Sequence, residues 1–258
     1  MKITALLENT ACDERLGCEH GLSLYVELKD KVILFDAGAS GLFAENAEKL
    51  GKDLSKVDLA ILSHGHNDHS GGLSRFIELN DHAPIYINKH AFEPHYNAAG
   101  KFIGMDLSLL DSGRVILTED EARLGEGLTL YSCNGFEKHH DVGNFGMSAV
   151  IGGKTVPEDF RHEQYLLIEE DGKRVLLSGC SHKGVMDIAD WFKPDVLIGG
   201  FHFEKLPIDD TMKGYAEFLN SLPTEFYTCH CTGAAQYEFM QQYMDRLHYL
   251  SGGMTIEL

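Results

Sequence analysis

The spacing of apolar and polar residues along the chain predicts strands and helices in alternation. Apolar stretches of strand length lie at residues 2–7, 22–28, 32–35, 57–62, 85–87, 115–117, 128–131, 164–169, 174–177, 196–198, 225–228 and 254–257. Apolar residues at helical spacing lie at residues 42–50, 73–77, 185–192, 211–220 and 234–247. Strands that alternate with helices are typical of an α/β fold.

One long segment, residues 132–163, breaks this pattern. It contains five glycines and three histidines, His139, His140 and His162. Long irregular segments in compact domains are typically functional or mobile. We expect this segment to cover a site and to shape substrate choice, with a flexible surface loop as the alternative. No low-complexity linker divides the chain, so we expect a single domain, 1–258.

A dense group of possible metal ligands follows the predicted strand 57–62. The apolar run stops at Ser63, and four ligand residues follow within six positions: His64, His66, Asp68 and His69. Imidazole and carboxylate groups are common ligands of zinc and related metals. On an extended loop His64 and His66 project the same way and can share one ion. Asp68 and His69 follow a bend and can reach a second ion.

The charge of the chain limits its partners. The net charge is −18, with 40 acidic and 22 basic residues, so a nucleic-acid partner is not expected and a small-molecule substrate is. The first residues become polar too soon for a signal peptide, and no apolar run reaches membrane-spanning length. Six cysteines without secretion signals indicate reduced thiols, and hence a cytoplasmic protein without a membrane partner.

Polar residues also follow other predicted strands. Asp36 comes after 32–35, where it can accept hydrogen bonds from the metal loop or orient a ligand histidine. After 174–177 come Cys180 and His182, of which we expect at least one to bind metal. A Cys180 thiolate would favour zinc or iron over magnesium or manganese. Alternatively, Cys180 is a buried thiol and His182 is the donor.

Two further strand ends carry histidines. His202 follows 196–198 and is placed to act as a general acid or an oxyanion donor, although a satisfied core histidine is the alternative. His230 follows 225–228 within Cys229-His230-Cys231. That triplet alone has too few ligands for a closed structural zinc site.

The His-x-His-x-Asp-His motif, followed by Gly-Gly, resembles the signature of the metallo-β-lactamase superfamily. The resemblance implies a four-layer αββα sandwich with one or two divalent metal ions. It implies that His230 is the last metal-ligand histidine and that Asp36 orients a ligand. Relatives have a metal-bridging aspartate where this chain has Cys180. The usual histidine before that strand has no clear counterpart; His162 is the nearest candidate and His182 the alternative.

A set of shorter motifs narrows the resemblance: Leu7-Glu8-Asn9, Phe35-Asp36-Ala37-Gly38, Asn46-Ala47, Gly179-Cys180-Ser181-His182, Gly199-Gly200-Phe201-His202 and His230-Cys231-Thr232-Gly233. In this order they resemble the branch named for 7,8-dihydropterin-6-yl-methyl-4-(β-D-ribofuranosyl)aminobenzene 5′-phosphate synthase, an activity of methanopterin biosynthesis. The resemblance spans nearly the whole chain.

Three functions are consistent with these residues. The first is hydrolysis of an ester, phosphoester or amide-like small molecule. The ion would be zinc, with iron or manganese as alternatives, bound by His64, His66, Asp68, His69 and His230 with Cys180 or His182. Asp68 would also orient water, and His202 would protonate the leaving group or stabilise charge.

The second is a pterin-pyrophosphate-dependent transferase, in which Arg161 and Lys183 are candidate contacts to the leaving group. The third is a non-catalytic metal-binding or redox-sensing protein. The oligomeric state is left open.

Overall fold

The structure is a computed structural model that describes residues 1–258. The strands are β1 (Lys2–Leu7), β2 (Ser23–Glu27), β3 (Val32–Phe35), β4 (Leu59–Ile61), β5 (Ile85–Asn88), β6 (His95–Tyr96), β7 (Val115–Thr118), β8 (Glu121–Gly125), β9 (Leu128–Tyr131), β10 (Ser148–Ile151), β11 (Lys154–Pro157), β12 (Tyr165–Glu170), β13 (Lys173–Gly179), β14 (Val196–Gly199), β15 (Glu225–Thr228), β16 (Leu247–Tyr249) and β17 (Thr255–Glu257).

The helices are α1 (Leu42–Lys49), α2 (Asn67–Ser70), α3 (Leu73–Leu79), α4 (Val185–Phe192), α5 (Asp210–Ser221) and α6 (Ala234–Met240). Short 3-10 helices lie at Leu54–Lys56, Lys89–Phe92, Leu107–Ser112 and His230–Thr232. None of the helices is both long enough and apolar enough to cross a membrane.

The chain forms two compact units that are interleaved in sequence. Unit 1 contains Met1–Glu119, Gly146–Gln164 and Ser251–Leu258, and unit 2 contains Asp120–Phe145 and Tyr165–Leu250. Each unit has its own large sheet and its own group of helices. The expectation of an α/β fold is confirmed, while that of a single domain stays a prediction.

The large sheet of unit 1 has seven strands in the order β17-β1-β2-β3-β4-β5-β7. The predicted hairpin of β2 and β3 is present, and β3, β4, β5 and β7 are parallel. Phe43 of α1 and Phe76 of α3 share a buried core with strand residues such as Leu34 and Ile85. Burial of the apolar faces of the helices and the sheet against each other stabilises the sheet. The candidate metal-binding motif follows the end of one of its parallel strands, β4.

A smaller sheet of unit 1 corrects one prediction. Residues 132–163 are not irregular throughout, because β10 and β11 form an antiparallel hairpin that also pairs with β6. Gly152 and Gly153 make its turn with positive φ angles of 58° and 79°. Both strands are only four residues long, β10 has a single buried residue and β11 is mostly exposed, which explains their weak signal in the sequence. The role of the segment as a cover over the site stays a prediction.

The large sheet of unit 2 has the order β16-β15-β14-β13-β12-β9-β8, with β13 to β16 parallel. Tyr165 and Phe226 pack in a core with residues of α4, α5 and α6. The predicted helix 234–247 is wrong in its second half, because α6 ends at Met240 and Leu247 begins a strand beside β15. Strand β8 was not predicted, because it has no buried residue to give an apolar pattern.

Candidate metal centre

The Asp36 carboxylate organises the histidine motif of unit 1. Parallel strands β3 and β4 are neighbours, so Asp36 and Ser63, which follow them, lie side by side. The Ser63 backbone N–H donates to Asp36 Oδ1 at 2.7 Å, and the Ser63 hydroxyl donates to Asp36 Oδ2 at 2.7 Å. Asp36 is fully buried, and its φ of 60° places it in the left-handed region. A carboxylate buried here is stabilised by these donated hydrogen bonds.

The same network fixes the proton positions of two motif histidines. His69 Nδ1 lies 2.7 Å from Asp36 Oδ2, so Nδ1–H donates to the carboxylate. His64 Nδ1 lies 2.8 Å from Ser63 Oγ. Because the Ser63 hydroxyl proton is directed at Asp36, that oxygen accepts from His64 Nδ1–H. In both rings Nε2 therefore has the lone pair that a metal ligand requires.

Asp68 lies in the first turn of α2, next to His69. Its Oδ2 atom is 3.8 Å from His69 Nε2 and 3.3 Å from Nε2 of His20. The Asp68 side chain is 20% exposed, whereas that of His69 is fully buried. The Asp68 carboxylate therefore lies near His69 Nε2 and is also accessible to water. No motif in the sequence points to His20, because it belongs to the irregular segment after β1.

His66 adjoins a second histidine group within unit 1. One donor atom from each of four buried residues lies within 4.8 Å of the others: His66, His95, Glu158 and His162. The His66 ring centroid is 4.6 Å from that of His64 and 5.2 Å from that of His162. His95 and Glu158 were not predicted for the site, because His95 lies on β6 and Glu158 directly follows β11, two strands of a small sheet that the sequence pattern did not indicate.

Hydrogen bonds also fix the His162 ring. The Gly65 backbone N–H donates to His162 Nδ1 at 2.9 Å, so Nε2 has the proton in the neutral ring. That Nε2 atom lies 3.6 Å from Glu158 Oε1, and the other carboxylate oxygen lies 2.7 Å from His95 Nδ1. His162 thus holds the backbone between His64 and His66. In this tautomer its nitrogens are not metal donors.

Unit 2 has its own group of donors, at the ends of parallel strands β13, β14 and β15. Donor atoms of Cys180, His182 and His202 lie within 4.8 Å of one another, as do those of Cys180, His230 and Cys231. The ring centroids of His182 and His202 are 4.2 Å apart. The carboxyl ends of parallel strands meet at one edge of a sheet, which explains this convergence. His202, predicted as catalytic, is also placed to bind an ion.

Backbone strain marks this edge of the unit 2 sheet. Three non-glycine residues have φ angles in the left-handed region: Ser181 at 55°, His202 at 57° and His230 at 50°. Such conformations cost on the order of 1–3 kcal/mol each, and they cluster at functional sites. Each of these residues follows the end of a strand, where a left-handed backbone turns the chain. The strained positions therefore coincide with the residues that carry the donor atoms or adjoin them.

The Cys231 thiol lies in an electrostatically unusual position. Burial raises the pKa of this thiol, but hydrogen bonding with Cys180 and His202 lowers it. Positive charge on His202 and His230 lowers it further. The lowering dominates, so the pKa of Cys231 lies well below its usual value. A thiolate is the form that binds metals.

Comparison with known proteins agrees with the motif and the fold. A sequence model described as the metallo-beta-lactamase superfamily matches residues 16–207. The chain belongs to the metallo-β-lactamase superfamily. The crystal structure of Tm1679, described as a metal-dependent hydrolase of the beta-lactamase superfamily, has a TM-score of 0.83 at 26% identity. That alignment covers 100% of this chain and 99% of Tm1679. The expected fold class is thereby confirmed.

Two proteins of Methanocaldococcus jannaschii are also similar to this chain. One is 7,8-dihydropterin-6-methyl-4-(beta-D-ribofuranosyl)-aminobenzene-5'-phosphate synthase, 30% identical over 294 aligned positions that cover 100% of this chain and 96% of the synthase. The other is an uncharacterised protein, 27% identical over 241 residues and 90% of each chain. The predicted resemblance to the synthase branch is confirmed.

Replacement of Asp36 tests the histidine orientation. We expect Asp36→Asn to weaken the binding of divalent metal about 10- to 100-fold, because an amide nitrogen cannot accept the proton of His69 Nδ1. Titration against a competing chelator measures this change. Asp58→Asn is the control, since Asp58 Oδ2 accepts a hydrogen bond from the Val32 backbone at the exposed strand start. Equal affinities in the two variants would contradict the assigned role of Asp36.

Replacement of His162 and His182 tests which residue completes the ligand set. We expect His182→Ala to lose more bound metal than His162→Ala, because the His162 Nδ1 lone pair already accepts the Gly65 N–H. Elemental analysis of the two purified variants measures the difference. Equal metal retention in both would contradict this assignment.

Proposed function

We propose that this protein is a metal-dependent hydrolase that acts on a small ester, phosphoester or amide-like molecule. The observation that carries the proposal is the network in which Asp36 and Ser63 direct Nε2 of His64 and His69 as ligand atoms. The similarity to Tm1679, which is described as a metal-dependent hydrolase, supports it. A bound divalent ion would supply an activated water and polarise the scissile bond.

The side chains around the motif have distinct tasks in this proposal. His64, His66 and His69 hold the ion in unit 1, because each is an imidazole with little or no exposure. Asp68 is the partly exposed acid next to His69, so it would bind the ion as well and would also orient the attacking water. His20 lies 3.3 Å from Asp68 and limits the rotation of that carboxylate.

His202 is the proposed proton donor to the leaving group. It follows β14 with a left-handed backbone, and its ring packs at a centroid distance of 4.8 Å against Phe145. An imidazole is suited to proton transfer near neutral pH, and such transfer contributes typically about 10²- to 10⁴-fold to a rate. The aromatic contact holds the ring in one orientation.

A transferase is the second candidate, because the relative at 30% identity is named as a synthase. A pyrophosphate leaving group needs cationic contacts. Arg161 Nε donates to Glu93 Oε2 at 3.0 Å, and the buried Lys183 ammonium donates to the Ser132 carbonyl at 2.5 Å. Both predicted cations therefore have protein partners already, which makes hydrolysis the better supported reaction.

The experiment compares hydrolysis with transfer in the metal-loaded protein. We expect turnover on a panel of carboxylic esters, phosphodiesters and lactones, and no condensation of a pterin pyrophosphate with an aminobenzene acceptor. His202→Gln should lower kcat by about 10²-fold or more through loss of the proton donor. His248→Gln is the control, since His248 is an exposed partner of Glu225.

Each other outcome would change the assignment. Condensation without hydrolysis would replace the hydrolase with the transferase. Full metal loading without turnover on either panel would leave a metal-binding or redox-sensing protein. Equal kcat in the His202 and His248 variants would remove His202 from the mechanism.

A further inference from the structure

The fold enlarges the donor group at Cys229-His230-Cys231. In the sequence this triplet has too few ligands for a closed metal site. In the structure, parallel pairing of β13 with β14 and of β14 with β15 brings the turn after β13 to the same sheet edge. The donor atoms of Cys180, His230 and Cys231 then lie within 4.8 Å of one another. Two thiols and an imidazole therefore converge within unit 2.

The Cys231 sulfur is held firmly in this group. Cys231 is 4% exposed, and its Sγ atom lies 3.6 Å from the Cys180 carbonyl oxygen. A Cβ atom on Gly200 would stand 2.4 Å from that sulfur, so only glycine leaves room for it. The absence of a side chain at Gly200 is thus matched to the position of Cys231.

The composition of the group selects its ion. Its three donors are two sulfurs and one imidazole, without a carboxylate. Cys180 also lies near the donor atoms of His182 and His202, which are imidazoles too. Sulfur and imidazole donors suit zinc and other thiophilic ions, whereas magnesium, calcium and manganese prefer oxygen. Ligand atoms around a tetrahedral zinc ion are about 3.3–3.8 Å apart. The donor atoms of this group lie within 4.8 Å of one another, so small side-chain rotations would bring them to that separation.

We propose that Cys231 is a metal ligand and that Cys180, His230 and Cys231 together bind a thiophilic divalent ion, with zinc as the fitting choice. On binding, each thiol loses its proton to solvent as its sulfur–metal bond forms, and no electrons are transferred. This proposal rests on the metal-dependent function proposed above, and it specifies which ion this group of residues would bind. It adds a sulfur ligand that the superfamily resemblance does not imply.

Cobalt substitution tests this ligand set without relying on activity. Cobalt(II) bound by thiolates absorbs in the near ultraviolet through sulfur-to-metal charge transfer, with an intensity that grows with the number of sulfur ligands. We expect the wild-type protein to show this band, and Cys180→Ser and Cys231→Ser each to lose about half of it. Cys229→Ser is the matched control. It removes another buried thiol of the same loop that does not belong to either donor group, so it should retain the band.

A second measurement covers variants that fail to fold. Alkylation of Cys231 in the wild-type protein, followed by mass spectrometry, should slow at least tenfold after zinc is added, while alkylation of exposed Cys12 should not change. A full band in Cys231→Ser, or zinc-independent alkylation of Cys231, would overturn the proposal.

The two proposals fail separately. Turnover by a cobalt-loaded protein that lacks the sulfur band would leave the hydrolase standing and remove Cys231 as a ligand. A sulfur band in a protein without turnover would support the ligand set and contradict the hydrolase.

Discussion

The hydrogen bonds to the Asp36 carboxylate are the constraint on which the histidine motif depends. One fully buried carboxylate accepts from the Ser63 backbone, the Ser63 hydroxyl and His69. Through Ser63 it also determines the tautomer of His64. A buried carboxylate without such donors would be strongly unfavourable, so the folded state requires the same contacts that orient the ligands. Stability and metal-site geometry are therefore coupled at this residue.

Parallel strand ends supply donors in both units. In unit 1, β3 and β4 end in Asp36 and in the segment that leads to His64. In unit 2, β13, β14 and β15 end in the turns of Cys180, His202 and His230. Buried apolar strands give each set of side chains a rigid base, and the left-handed backbone after the strands directs them. The chemistry differs, because unit 1 combines imidazoles with carboxylates and unit 2 combines imidazoles with thiols.

Much of this arrangement could be predicted from the sequence, because the signals were local. The apolar strand before Ser63 and the four ligands after it lie within fourteen residues, 59–72, so the motif was evident. The contact of Asp36 with His69 spans 33 positions; the position of Asp36 at a strand end leaves two roles open, and the resemblance to a known family favours the one that orients a histidine. His95 and Glu158 are 63 positions apart; His95 lies on the two-residue strand β6 and Glu158 directly follows the short strand β11, so no local sequence pattern predicts their pairing. The triplet Cys229-His230-Cys231 has too few ligands by itself, and Cys180, which the fold brings next to Cys231, is 51 positions away in sequence.

The most direct test of the account is elemental analysis of protein purified without chelator, beside Asp68→Ala and Cys180→Ala. The account predicts bound transition metal in the wild-type protein, zinc above iron or manganese, and less metal in each variant. Asp68 and Cys180 belong to different units, so a loss in both would show that both groups of donors hold metal. A wild-type protein that contains no transition metal, and takes up none when zinc is supplied, would contradict the account.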